Sequence, residues 1–188
     1  MRAVPSVVPE VFKRALEEAV NRMSDGTVVV YQRFLSKVRE GRAFVAGKRF
    51  EDVADGDSVN MVLRNPVGSG ADVYVVLAEV TTMAQAWVDV YYDPVVSGGS
   101  EVPAANLDLG SGSGPAADVL SGATVLSGSP AFTAVCPGGA RTRAIGGAAE
   151  VGEAVRLPPG HRIMVAVTNR GGSSQDLSVR FVWWEDPL

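Results

Sequence analysis

What most limits the folds open to this chain is a succession of short segments in which apolar and polar residues alternate, each closed by a turn signal. The pattern is clearest over the last forty residues, in Arg162-Ile-Met-Val-Ala-Val-Thr168 and Asp176-Leu-Ser-Val-Arg-Phe-Val-Trp-Trp184. Side chains along a strand point to opposite faces with period two. Ile163, Val165 and Val167 therefore share one face, and Met164, Ala166 and Thr168 the other. In the second segment Leu177, Val179, Phe181 and Trp183 oppose Ser178, Arg180, Val182 and Trp184. Pro158-Pro159-Gly160 and Gly171-Gly172 supply the fixed φ and the positive φ that chain reversals need.

The same alternation begins at Ala43. Strands are expected at 43–46, 58–64, 72–81, 86–92, 123–126, 131–135, 154–157, 162–168 and 176–184, separated by breakers such as Asp55-Gly-Asp57, Asn65-Pro66, Gly68-Ser-Gly70 and Asp93-Pro94. Eight or nine short strands with little helix predict a mainly β fold, a jelly-roll-like antiparallel β-sandwich. With 188 residues and 21 glycines, the chain suits one turn-rich domain plus an arm. Residues 95–122 are the exception to this density. Ser97-Gly-Gly-Ser100 and Gly110-Ser-Gly-Ser-Gly114 read as linkers, so the segment is expected to be a weakly structured surface excursion available to a neighbour.

The first 42 residues differ in kind. Val11, Phe12, Ala15, Leu16, Ala19, Val20 and Met23 recur at helical spacing opposite Glu10, Lys13, Arg14, Glu17, Glu18 and Arg22, after Pro9 and before Ser24-Asp25-Gly26. A second segment from Thr27 keeps Tyr31, Phe34, Leu35 and Val38 at helical spacing up to Gly41, although its β-branched Val28-Val29-Val30 also suits a strand. Charge divides along the same line. Residues 1–50 hold ten Lys or Arg against five Asp or Glu, a net of +5, and the remainder a net of −9. The expected organisation is a basic, amphipathic helical arm over 1–42 and a sandwich over 43–188, the arm suited to an acidic surface, the genome or anionic lipid.

Catalytic constellations find little support. His161 is the only histidine and follows a turn, with no signature that places a nucleophile beside it. Cys136, also single, ends an apolar segment and reads as a small buried hydrophobe. Asp52, Asp55 and Asp57 lack the full spacing and distal Glu of a calcium loop, and Gly68-Ser-Gly70 lacks the Lys of a phosphate loop. Paired carboxylates of the glycosidase kind are not selected by any spacing. No apolar run reaches the 18 residues of a membrane span, and no secretion signal is expected. The expectation is a non-enzyme with no cofactor, metal or small-molecule substrate. Aromatics on strands are the remaining contact candidates, with Trp87, Tyr92 and Trp184 expected to face outward. The competing reading covers them with the opposite sheet, the helical segment or a neighbour.

Taken in order, Phe50, Asp52-Val53 and Asp55-Gly56, then Val59-Asn-Met-Val-Leu-Arg-Asn-Pro66 with Ser69-Gly70, then Leu157-Pro-Pro-Gly160, Val165-Ala-Val-Thr-Asn169 and Val182-Trp-Trp-Glu185 resemble a family pattern. It is that of single jelly-roll capsid proteins of icosahedral viruses infecting thermophilic or halophilic bacteria and archaea. The resemblance spans roughly residues 44–186 and implies a virion structural protein that self-assembles as a homo-oligomer and meets other virion proteins. The helical arm departs from the plainest single jelly roll. Assembly is expected through Val11, Phe12, Leu16, Val20, Tyr31, Phe34 and Leu35. The alternatives are a carbohydrate- or receptor-binding β-sandwich of a decoration, spike or fibre protein and, more remotely, a hydrolase.

Overall fold

The computed structural model describes residues 27–137, 142–145 and 155–188, with the side chains of 27–32 and 142–145 outside the description. The helix expected over 9–23, and with it Val11, Phe12, Leu16 and Val20, lies outside the described residues, as does the side chain of Tyr31. Among the described residues one helix, α1 (Thr27–Arg39), precedes fourteen strands. These are β1 (Ala43–Val53), β2 (Ser58–Arg64), β3 (Ala71–Thr82), β4 (Ala86–Tyr92), β5 (Val95–Ser97), β6 (Ser100–Glu101) and β7 (Ala105–Asn106), then β8 (Asp118–Ser121), β9 (Thr124–Ser127), β10 (Phe132–Cys136), β11 (Thr142–Ile145), β12 (Val155–Leu157), β13 (Arg162–Asn169) and β14 (Gln175–Pro187).

Two antiparallel sheets make a sandwich. Sheet 1 has the order β11-β3-β14-β1-β7, with β12 pairing β3 on the same side as β11. Sheet 2 has the order β10-β4-β13-β2-β8-β6, and β5 and β9 form a separate two-stranded ribbon. The alternation read from the sequence sets which residues enter the core: Leu177, Val179, Phe181 and Trp183 of β14 are all buried, against Phe44 of β1 and Met61, Leu63, Ile163, Val165 and Val167 of sheet 2. Phe44 and Trp183 meet with ring centroids 5.8 Å apart.

Two of the sequence expectations change. The segment at 28–30 is helical, which resolves the helix-or-strand ambiguity there. More consequentially, the excursion over 95–122 is built into the sandwich. β7 extends sheet 1 beside β1, β8 and β6 extend sheet 2 beside β2, and Val102 and Ala117 enter the main core. Polar groups hold it there. Asn60 donates to the Ala123 carbonyl and accepts from the Ala123 amide, while the Glu185 carboxylate accepts from the amides of Ala116 and Ala117 and from the Trp183 indole. Glycine and serine in this stretch supply turns, Gly99 and Gly122 at positive φ, between short paired strands.

Each end of the sandwich is tied by a buried amide side chain. At one end Asn65 donates to the carbonyls of Ala71 and Leu157, joining the ends of β2 and β12 to the start of β3. At the other, Asn169 donates to the carbonyls of Val53 and Ser173 and accepts from Gly171, and Gln175 bridges Asn169 to the turn at Ala84 and Gln85. These bonds satisfy the backbone groups that tight turns would leave buried and unpaired.

Candidate functional site

Three surfaces follow from this frame. The first is the seat of α1 on the outer face of sheet 1. Trp184, Tyr74 and Ala43 lie side by side on that face by register. Trp184 and Tyr74 stack with centroids 5.2 Å apart, and Phe34 from α1 closes over Trp184 at 6.3 Å. The Arg33 guanidinium stands 5.6 Å from the Tyr74 ring and 5.8 Å from Trp184, a cation over aromatic faces. Trp184 is consequently 3% exposed, which corrects the expectation that it faces solvent: the helix covers it. Among the described residues its indole N–H has no hydrogen-bond partner.

Charge reinforces the seat. The Asp186 carboxylate takes Arg33 at 3.1 Å and Lys37 at 2.9 Å, and Lys37 also reaches Glu40 at 2.9 Å. Burial pushes the Asp186 carboxyl up, but Lys37 and Arg33 outweigh it and hold the group below the usual carboxylate range. The hydrogen bond to Asp186 likewise raises Lys37 above its ordinary value. Of the residues expected to make assembly contacts, Phe34 is spent on this intramolecular seat, while Leu35 remains 38% exposed beside it.

The second surface is the outer face of sheet 2. Its centre is covered by the excursion: Val62 and Met164 pack with Ala123, Val96, Leu120 and Tyr91. Towards the Asn169 end the cover stops, and Trp87 of β4 stands 46% exposed between Thr168 of β13 and Val135 of β10. Arg170 lies 4.2 Å from the Trp87 ring centroid. Tyr92, at the opposite end of β4, is also half exposed. Neither Arg170 nor Val135 stood out in the sequence, because only the cross-strand register brings them to Trp87.

The third is a small cleft of about 190 Å³ at the Asn65 end, lined by Arg64, Asn65, Val67, Asp118, His161 and Arg162 among others. Its charges already serve one another. Arg64 forms two 2.7 Å hydrogen bonds with Asp118. Asp93, at positive φ, shares a 2.7 Å hydrogen bond with His161 Nδ1 and accepts the Arg162 amide. Burial raises the Asp93 carboxyl, yet those two donors bring it below the usual range. The pair resembles half of a catalytic triad, but no hydroxyl or thiol nucleophile is hydrogen-bonded to His161 among the described residues, and the cleft is smaller than the 300 Å³ or so typical of small-molecule sites. Cys136 is buried at the end of β10. Of the three aspartates near the β1–β2 turn, Asp55 accepts the Gly172 amide, and no group of three or more His, Cys, Asp or Glu among the described residues is placed to hold a metal ion.

Compared with known proteins, the chain matches no family model, no curated protein and no solved structure.

Proposed function

We propose that this chain is a virion structural protein, a capsid-shell subunit with a jelly-roll sandwich that assembles with copies of itself and with other virion proteins. The observation that carries the reading is strand order. Numbered along the chain, β1, β2, β3, β4, β10, β12, β13 and β14 are first to eighth; sheet 1 runs first, eighth, third, sixth and sheet 2 runs second, seventh, fourth, fifth. All but one of the successive steps change sheet, an alternation that supports the reading of two nested Greek keys. Jelly rolls serve capsids, lectins and cupins, and architecture alone does not choose among them. A packed apolar interior and exposed features that are faces and edges favour the structural role over an enclosed ligand site. The basic N-terminal segment then serves as the assembly arm, its apolar residues meeting neighbouring subunits and its charge meeting an acidic surface, genome or anionic lipid.

A second reading, a carbohydrate- or receptor-binding sandwich, draws on one feature: half-exposed Trp87 and Tyr92 on the same strand. Light scattering after size exclusion, with negative-stain microscopy of the full chain, tests the first reading. Closed particles or defined oligomers are expected, and a monomer at every concentration would overturn it. Quenching of tryptophan fluorescence by members of a glycan panel, in a chain that stays monomeric, would install the second reading in its place.

A further inference from the structure

In the cleft at the Asn65 end one charge stands outside the Arg64–Asp118 and His161–Asp93 pairs. Arg162, Arg64 and Asp118 lie opposite one another in a single row across β13, β2 and β8. By parity with Met164 and Val62 the row is on the outer face of sheet 2, next to the part that the excursion covers. Like charges directly opposite on neighbouring strands repel. Asp118 answers Arg64 with both carboxylate oxygens, whereas the Arg162 guanidinium has no hydrogen bond or ion pair among the described residues, and Asp93 acts on it only from beyond ion-pair distance. A local rule broken with no compensation in the fold marks a functional position. The cleft's lining residues and their neighbours along the chain are all described, and Val67 and His161 on its rim are exposed.

We infer that this cleft binds a small hydroxycarboxylic acid, a uronic acid being the sugar of that class. Arg64 and Arg162 against Asp118 leave the lining one positive charge, which a single carboxylate neutralises and a doubly charged anion over-compensates. The planar fork of Arg162 suits a carboxylate. Acceptors for the hydroxyls stand beside it. The Asp118 side chain is 33% exposed. Asn65 lines the cleft while 1% exposed, and its amide is oriented by donating to the Ala71 and Leu157 carbonyls. Its Oδ1 has no hydrogen-bond partner among the described residues, which suits a hydroxyl or a water that links it to one. With Nδ1 engaged by Asp93, His161 presents Nε2 as its remaining ring nitrogen. A volume of about 190 Å³ suits one ring rather than an oligosaccharide. The inference rests neither on self-assembly nor on the Trp87 surface.

Calorimetric titration and saturation-transfer NMR of the full chain test this with three probes: glucuronate, glucose and sulfate. Glucuronate binds about tenfold or more tightly than either of the others, because glucose lacks the charge and sulfate the hydroxyls. Arg162→Gln weakens glucuronate binding by about tenfold or more and leaves the thermal midpoint in place. Arg39→Gln, which removes an exposed arginine from α1 on the other face of the sandwich, changes neither. Glucuronate that does not bind, binds no better than glucose or is held equally by Arg162→Gln overturns the site. Sulfate bound as tightly as glucuronate overturns the hydroxy-acid assignment. The three-probe comparison uses the unmodified chain, so it decides the matter even if the variant fails to fold. Particles that ignore glucuronate remove the site and keep the shell reading, and a strict monomer that binds it through Arg162 does the reverse.

Discussion

The outer faces of the two sheets are both covered, but by different physics. Sheet 2 is covered by the chain between β4 and β10, which returns to the body repeatedly. It is fixed by backbone pairing to β2, by the Asn60 amide and by the buried Glu185 carboxylate. Sheet 1 is covered by α1, which is tied to β1 through Glu40-Gly41-Arg42 and held, among its described side chains, by Phe34 on Trp184, Arg33 over Tyr74 and Trp184, and a group of partly exposed ion pairs. Buried hydrogen bonds to a charged group are expensive to break because the partner is left unsatisfied, whereas exposed ion pairs contribute little and depend on salt and pH. One cover is therefore part of the fold and the other is a ligand of it.

Replacing Glu185 with Ala breaks this comparison hardest. It strands three donors in the interior and should destabilise the protein by about 3–4 kcal/mol, read as a fall in the urea midpoint with loss of the whole near-ultraviolet signal. Next comes the contrast within the tryptophan pair. Trp183→Phe loses core volume and the bond to Glu185 and should cost about 2–3 kcal/mol; Trp184→Phe, whose indole N–H has no partner among the described residues, should cost less than about 1 kcal/mol by the same measurement. Phe34→Ala should cost about 1 kcal/mol or less in global unfolding while exposing Trp184, seen as a red shift of its emission.

The smallest effect is on pH. Because the folded-state pKa of Asp186 is depressed, its contribution is fully present above the ordinary carboxylate range and is lost as pH falls through the depressed value. The α1 seat should thus loosen in acid, below about pH 4, before the body unfolds, and Asp186→Asn should abolish that early step at a cost to helix docking already visible at neutral pH. If acid released the excursion and the helix together, the two covers would be one cooperative unit and the comparison would fail.

Strands with two unlike faces were legible from residues alone: β2 and β4 occupy 58–64 and 86–92 as the alternation predicts, and β13 and β14 differ from expectation only at their ends. β1 was legible only to Ala46, because beyond it Gly47-Lys-Arg-Phe-Glu-Asp52 has Phe50 as its only apolar side chain against the core and stays in the sheet through its register with β14. β5 to β8 were not legible, since strands of two to four residues flanked by glycine and serine carry no period to detect, and their pairing is imposed by distant partners. Asn60, Asn65 and Glu185 are equally silent in sequence. Such an amide or carboxylate is recognised by what it bonds, and apart from Trp183 those partners lie 6 to 92 residues away by chain and meet it only once the turns are closed. The surfaces fared similarly, since Trp87 was legible as an aromatic on a strand and its neighbours Arg170 and Val135 were not.

The position of β14 has a consequence in time. It lies between β1 and β3 at the centre of sheet 1, yet it leaves the ribosome after both. Until it arrives, Phe44 and the inner face of β3 have no Phe181 or Trp183 to pack against, and the two strands that should flank it have no common partner. Early chains must wait as an open half-sheet, so closure is late and slow, as for other topologies dominated by distant pairings. The surfaces of the sandwich are therefore complete only once β14 has joined sheet 1, and on the assembly reading proposed above the order of the strands holds back association until then.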